Sequence, residues 1–262
     1  MFFAEEAEEG SLNIKITPSD DDEQSMIEAA KFLVDAFWLD ARHVVTQPAE
    51  GDGIVVSSSV SEEAKRSLYQ EQASDLMDKY GERMGKRLLD SCVLKAVNTN
   101  TGDILGLICV SALLFDSTTK ILIPYEDSEQ LLKAAVAGLG PKDRRQYKDA
   151  SAEEIASNLL GDRDLKAVCC ISNLAVLPTA RKLGIATQLC DEAERIASVE
   201  WGYEVIVLKV EADNTKARNL YERKLNYEVK STEPSATAYR VDTEEGRFVE
   251  SEADTLILLK NI

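Results

Sequence analysis

Apolar positions along the chain fall into two periods, and the switches between them sketch the elements. Leu12 to Ile16 alternates like a short strand, broken by Pro18-Ser19-Asp20. From Met26 to Trp38 the spacing becomes helical, with Ile27, Ala30, Leu33, Val34 and Phe37 recurring on one face. Gly51-Asp52-Gly53 reads as loop. Residues 60–90 read as one long charged helix or two shorter ones, opened by Ser61-Glu62-Glu63 as a cap. Cys92–Val97 and Ile104–Phe115 read as two strands joined through Asn98-Thr99-Asn100-Thr101-Gly102-Asp103, where Asn and Gly tolerate the positive φ of a tight reversal.

Residues 117–165 are less regular. A short strand near Ile121–Ile123, a helix near Glu129–Val136, Gly140-Pro141 and a charged helical piece near Glu153–Leu160 suggest a surface insertion; the other reading is a disordered linker between two domains. Regularity then returns. A near-continuous apolar strand runs Ala167–Val176 and stops before Pro178. A helix from about Ile185 to Ser198 carries Ile185, Leu189, Ala193 and Ile196 on one face. Glu204–Val210 reads as a buried strand, Lys216–Arg223 as a helix, Tyr227–Val229 as a strand, and Thr255–Leu259 as a last strand after an acidic turn. Strand–helix–strand–helix order argues for an α/β layer with at least one parallel pair.

Composition narrows the classes of function. Forty-seven acidic residues against thirty basic ones leave a net charge of −17. A field of that sign disfavours nucleic-acid backbones and anionic lipid surfaces and suits a cationic partner such as an amine, although acid also simply keeps proteins soluble. The five cysteines (Cys92, Cys109, Cys169, Cys170 and Cys190) follow no metal-ligand spacing and sit in apolar runs, as reduced thiols do. His43 is the one histidine, which excludes a multi-His metal site; no metal is expected. No segment reaches the length of a membrane span, and Met1-Phe2-Phe3-Ala4-Glu5-Glu6 shows neither a signal peptide nor a basic transit pattern. The expectation is a soluble protein of a reducing compartment.

One segment carries chemistry. In Pro178-Thr179-Ala180-Arg181-Lys182-Leu183-Gly184-Ile185-Ala186-Thr187 a buried strand stops, two cations follow, then a glycine, small residues and a new helix. The unpaired N–H groups of a helix's first turn form an anion site. Gly184 and Ala186 keep side-chain bulk away from that backbone, and Arg181 and Lys182 add positive charge. The pattern reads as a cradle for phosphate or pyrophosphate, against the plainer reading of a loop-to-helix turn with solvated basic residues. It is neither the Gly-Lys-Ser/Thr loop of ATPases nor the Gly-x-Gly-x-x-Gly dinucleotide fingerprint.

Arg181-x-x-Gly184-x-Ala186, shortly after Leu174-Ala175-Val176, resembles the acyl-CoA pyrophosphate motif of the GNAT N-acetyltransferases. Asn214-Thr215-Lys216-Ala217-Arg218-Asn219-Leu220-Tyr221 resembles the same family's Asn-x-x-Ala-x-x-Leu-Tyr segment at full spacing. The resemblance is strong over residues 165–230, which it makes the acetyl-CoA-binding core, and loose elsewhere. Ser172–Val176 with Ala197–Gly202 looks most like the plant and algal plastid branch, which would place the chain in cytoplasm or plastid stroma.

The resemblance implies one domain over residues 1–262, a twisted mixed sheet with helices on both faces, and an insertion at 117–165 between the third and fourth strands. It implies acetyl-CoA as co-substrate, with its pantetheine arm along Leu174, Ala175 and Val176 and its pyrophosphate on Arg181, Lys182, Leu183, Gly184, Ile185, Ala186 and Thr187. Asn214 would hold the pantetheine amides, Ala217 would let the arm pass, and Tyr221, one helical turn on, would protonate the departing thiolate. The acceptor would be a protein N-terminus, a lysine or a small amine. Monomer and dimer both stay open.

Two departures stand out. Leu225-Asn226-Tyr227 replaces the glycine-containing turn of many relatives, and Asn is suited to the left-handed conformation that such a turn needs. Lys209 and Cys170 occupy strand positions where relatives carry a Glu or His base. A degenerate acyl-CoA-binding module without turnover is therefore the rival reading, followed by an unrelated α/β protein with a chance phosphate loop.

Overall fold

A run of consecutive buried positions in one strand requires cover on both faces of its sheet. Strand β3 (Ile104–Asp116) has such a run, buried throughout between its end residues, and it lies inside an eight-stranded sheet. The computed structural model describes residues 13–39, 43–44, 60–82, 87–161 and 164–262; Leu12 and the expected Gly51-Asp52-Gly53 loop fall outside them. The other strands are β1 (Ile14–Pro18), β2 (Ser91–Asn98), β4 (Ile121–Leu122), β5 (Leu165–Val176), β6 (Val205–Glu211), β7 (Glu228–Asp242) and β8 (Arg247–Asn261). Their order is β1-β2-β3-β5-β6-β8-β7, with β4 beside β3. Among these strands only β5 and β6 pair in parallel. The expected α/β fold is observed.

Side chains alternate across a strand, so neighbouring residues name the two faces. Val93, Leu107 and Cys109 pack under α1 (Glu23–Leu33) and α2 (Glu62–Tyr80). Leu94, Ile108 and Val110 belong to the core shared with α6 (Ile185–Arg195) through Ile185, Leu189 and Ala193. Asp22 and Ser61 cap α1 and α2, accepting from the N–H of Ser25 and Ala64. Residues 60–90 thus contain one helix of 19 residues ending before Gly81, among the described residues.

Two expectations are corrected. Residues 117–165 are neither a linker nor confined to the surface. Helices α3 (Tyr125–Ala137) and α5 (Ala152–Leu159), with the short α4 (Pro141–Arg144) between them, pack α3 on β3 and α5 on β5. Leu132 and Ile155 are fully buried in the main core, and the Ser128 hydroxyl accepts from Leu114 N–H at the end of β3. The two short terminal strands expected at 227–229 and 255–259 are instead a hairpin with arms of 15 residues each. Register shifts at Val229/Ser231 and Glu233/Ala236, with Ser235 left-handed at φ 48°, bend that hairpin. Its far end docks on α2 and on the π-type turn Val34–Trp38 that continues α1, where Val241 is buried with Val34, Leu39 and Leu68 and Phe248 meets Trp38 at 5.0 Å between ring centroids. The hairpin is a strap across the α1/α2 face.

Helix α6 lies against β3 so closely that a Cβ on Gly106 would stand 2.8 Å from Ile185 Cγ2 and 3.0 Å from Leu189 Cδ1. Gly106→Val should therefore cost about 1–3 kcal/mol through overpacking. Chemical denaturation checks it, and an unchanged midpoint would contradict the close seating of α6.

Candidate active site

Backbone N–H and C=O groups must find partners, so a strand that loses its neighbour exposes a row of both. β5 and β6 pair only at Cys169↔Ile206, Cys170↔Val207 and Ile171↔Leu208. Beyond that point β5 stays with β3 as far as Val176, and β6 stays with β8 as far as Glu211. The two halves of the sheet part there. On its other side β5 bulges: Ser172 opposes Cys109 and Ala175 opposes Leu107, which leaves Asn173 and Leu174 without a Cα partner on either neighbouring strand. Asn173 holds the bulge at φ 52°. The sequence pattern does not predict this bulge, and the asparagine inside an apolar strand is its only signal.

The loop after β5 opens onto this gap. Lys182 and Gly184 are both left-handed, at φ 68° and 81°. Glycine carries that geometry without strain and lysine does not, so the loop's shape is constrained by the helix it leads into. That helix, α6, has no side-chain cap; Gln188 N–H bonds Gly184 O, whereas the N–H groups of Ile185, Ala186 and Thr187 precede any helical acceptor. Arg181 Nε donates to Val176 O at 3.1 Å, tying the loop back to the end of β5. Lys182, Leu183 and Gly184 are exposed, whereas Ile185 is buried and can offer a ligand only its backbone. Leu174 and Val176 are half-buried along the gap, and Ala175 is buried beneath α1 and α2.

Across the gap, Asn214 follows β6 and caps α7 (Thr215–Arg218), its Oδ1 accepting from Ala217 N–H at 3.2 Å. The amide nitrogen carries two donors besides. Ala217 is half-buried. From Asn219 to Lys224 the helix widens to π-type turns, and Tyr221 lies within them. Tyr221 is buried, its ring 5.8 Å from that of Tyr227 in an edge-on contact. Burial pushes its hydroxyl well above the usual tyrosine range, with the thiols of Cys190 and Cys170 adding to the rise. A phenol in that state holds its proton at neutral pH and can donate a hydrogen bond. The Leu225-Asn226-Tyr227 turn keeps the expected left-handed residue, Asn226 at φ 60°.

Neither residue at the positions of the absent base can replace it. Burial pushes the Cys170 thiol up to about 12, with Lys209 pulling slightly the other way, so it is neutral and no base at pH 7. The Lys209 ammonium donates to Glu233 Oε2 at 2.7 Å. No group of metal-ligating side chains occurs among the described residues, and none of their helices is long and apolar enough to cross a membrane.

Residues 153–227 match the acetyltransferase (GNAT) family model, a span that runs from α5 through Tyr221 and takes in the parted strands and the loop. Among solved structures the chain is similar to a GNAT-family acetyltransferase from Streptococcus pneumoniae (15% identity, covering 95% of this chain and 100% of that one, TM-score 0.47). It is also similar to Arabidopsis thaliana NAA60 in complex with acetyl-CoA (15%, 95% and 99%, 0.48). A third is a GCN5-related N-acetyltransferase from Kribbella flavida (17%, 95% and 98%, 0.46).

If an anion sits on the 182–187 backbone, bulk and negative charge at position 184 should expel it. Gly184→Glu should abolish CoA binding by equilibrium dialysis while cooperative unfolding persists. Unchanged CoA affinity would remove the site from this loop.

Proposed function

We propose that this chain is an acetyl-CoA-dependent N-acetyltransferase, formed as one domain over residues 1–262 around a cofactor-binding core at 165–230. The observation that carries the proposal is the parting of β5 from β6 beside an uncapped helix N-terminus, within the span that matches the family model. A pantetheine arm carries amides that can pair with strand backbone, and the gap offers backbone without a strand partner at Asn173 and Leu174. A pyrophosphate suits the N–H groups of residues 182–187, where an anion gains about 0.3–2 kcal/mol from the helix terminus. Asn214 supports the arm, and the Leu174 N–H offers a donor to the thioester oxygen as charge develops on it.

Transfer is direct in this reading. The neutral amine attacks the carbonyl carbon of the thioester, the carbon–sulfur bond breaks, and the thiolate takes the Tyr221 proton. The strongly acidic chain favours a cationic acceptor, with protein N-termini and lysines ahead of small amines. The likeness of Ser172–Val176 and Ala197–Gly202 to the plant and algal plastid branch supports plastid stroma or cytoplasm as its place of work. The rival, a binding module without turnover, rests on the unsuitable chemistry of Cys170 and Lys209.

Tyr221→Phe separates the two, because it keeps the ring and removes the proton. It should lower kcat by roughly 10–10³-fold, at or below the general-acid range, because water substitutes in part. The acetyl-CoA Kd should change little. Normal turnover in that variant would make Tyr221 a core residue and the mechanism wrong.

A further inference from the structure

The transfer proposed above lacks a proton acceptor for the attacking amine. We propose, resting on that transferase reading, that Glu233 is the acceptor, with the Lys209–Glu233 pair as its frame.

Lys209 is the residue immediately after Leu208, the last β6 residue paired with β5, so it stands where the gap opens. Cys170 and Val207 are partners across the parallel pair, and Lys209 lies two residues beyond Val207, which places all three on one face. Ser111 opposite Cys170 and Cys109 opposite Ser172 identify that face as the one beneath α1 and α2. Glu233 reaches it through Thr255, which pairs with both Glu211 and Glu233. The cofactor loop leads into α6 on the opposite face. An acceptor entering under the strap would thus meet the thioester from the side away from that helix.

Glu233 Oε2 accepts from Lys209 Nζ at 2.7 Å, whereas Oε1 is buried and has no hydrogen-bond partner among the described residues. A carboxylate oxygen shielded from water without a donor costs on the order of 1–3 kcal/mol or more. An N–H supplied by a bound molecule would satisfy it, and an amine or ammonium group supplies one. The neighbouring carboxylate, Glu211, is held by Arg240 at 2.8 Å instead. The thiol of Cys170 stays protonated.

The step balances without any further reactant. The acceptor ammonium first loses a proton to water. Its nitrogen lone pair then forms the C–N bond, and the carbonyl π pair moves to oxygen. The second N–H proton passes to Glu233 Oε1 as the oxygen pair returns and the C–S bond breaks. The thiolate takes the Tyr221 proton. Glu233 releases its proton to solvent and Tyr221 regains one, so amine and acetyl-CoA become amide and free CoA.

The test compares wild type, Glu233→Gln and Glu233→Asp. Each is given acetyl-CoA with a panel of free-N-terminus peptides, lysine peptides with blocked N-termini, and spermidine; thiol release, acetyl-CoA Kd and Tm are measured. Glu233→Gln keeps the shape and loses the base, so kcat should fall about 10²–10⁴-fold with the acetyl-CoA Kd unchanged. Glu233→Asp keeps the carboxylate one methylene short and should recover part of that loss. Should Glu233→Gln unfold, Glu233→Asp alone decides: reduced kcat at wild-type Tm supports the assignment. Wild-type turnover in either folded variant would overturn it while leaving the transferase reading intact. A wild-type protein that binds acetyl-CoA but releases no thiol with any acceptor overturns both together.

Discussion

Backbone hydrogen bonding is the constraint on which this molecule turns. A sheet interior normally satisfies every main-chain donor and acceptor, and leaving one buried and unmet costs about 1–3 kcal/mol. Here two central strands pair at three positions and then part, each still held by its outer neighbour. The parting is sustained from both sides. The Asn173 bulge shifts β5 out of phase with β3, and the Arg181 guanidinium binds Val176 O and fixes the departing chain. Gly106 lets α6 settle closely onto β3. In the proposed function the unmet groups are the binding surface, and an extended amide-bearing ligand ending in pyrophosphate is the partner they would take.

The two faces of the sheet divide the work. Helix α6, with its uncapped first turn, covers one face, where the proposed function puts the anion. The other lies under α1, α2 and the bent β7–β8 hairpin, which is pinned at its far end by Val241, Phe248 and the close approach of Gly246 to Ala64. The Arg240–Glu211 ion pair, largely buried on both sides, ties the strap back to β6 near the gap. Such a pair contributes more to fixing geometry than to net stability, because desolvation offsets much of its attraction. The strap thus carries Glu233 to Lys209.

Much of this was legible in the residues. Gly184 stands at a left-handed position and Asn214 at a helix cap, where backbone geometry favours those residue types, and the helical face of Ile185, Leu189 and Ala193 emerged from period alone. The strap was not legible. From Ser231 to Tyr239 its residues are mostly Ser, Thr, Ala and Glu, and no alternation marks a strand that is bent and half-exposed. Burial of the 117–165 helices also escaped, since Leu132 and Ile155 each sit in a segment rich in charge and only tertiary contact shows which side is covered. The π-type widening after Asn219 leaves no local signature. Glu233 was invisible for a different reason: what marks it is one buried oxygen without a partner among the described residues, not any motif.

Amide hydrogen exchange with and without acetyl-CoA tests the central claim most directly, because it reads the backbone groups themselves. The account predicts marked slowing at the amides of residues 182–187 and at Leu174 when acetyl-CoA binds, with little change at the outer strands β1 and β7. Binding of acetyl-CoA that left those amides exchanging as before, or that protected a different surface, would contradict it.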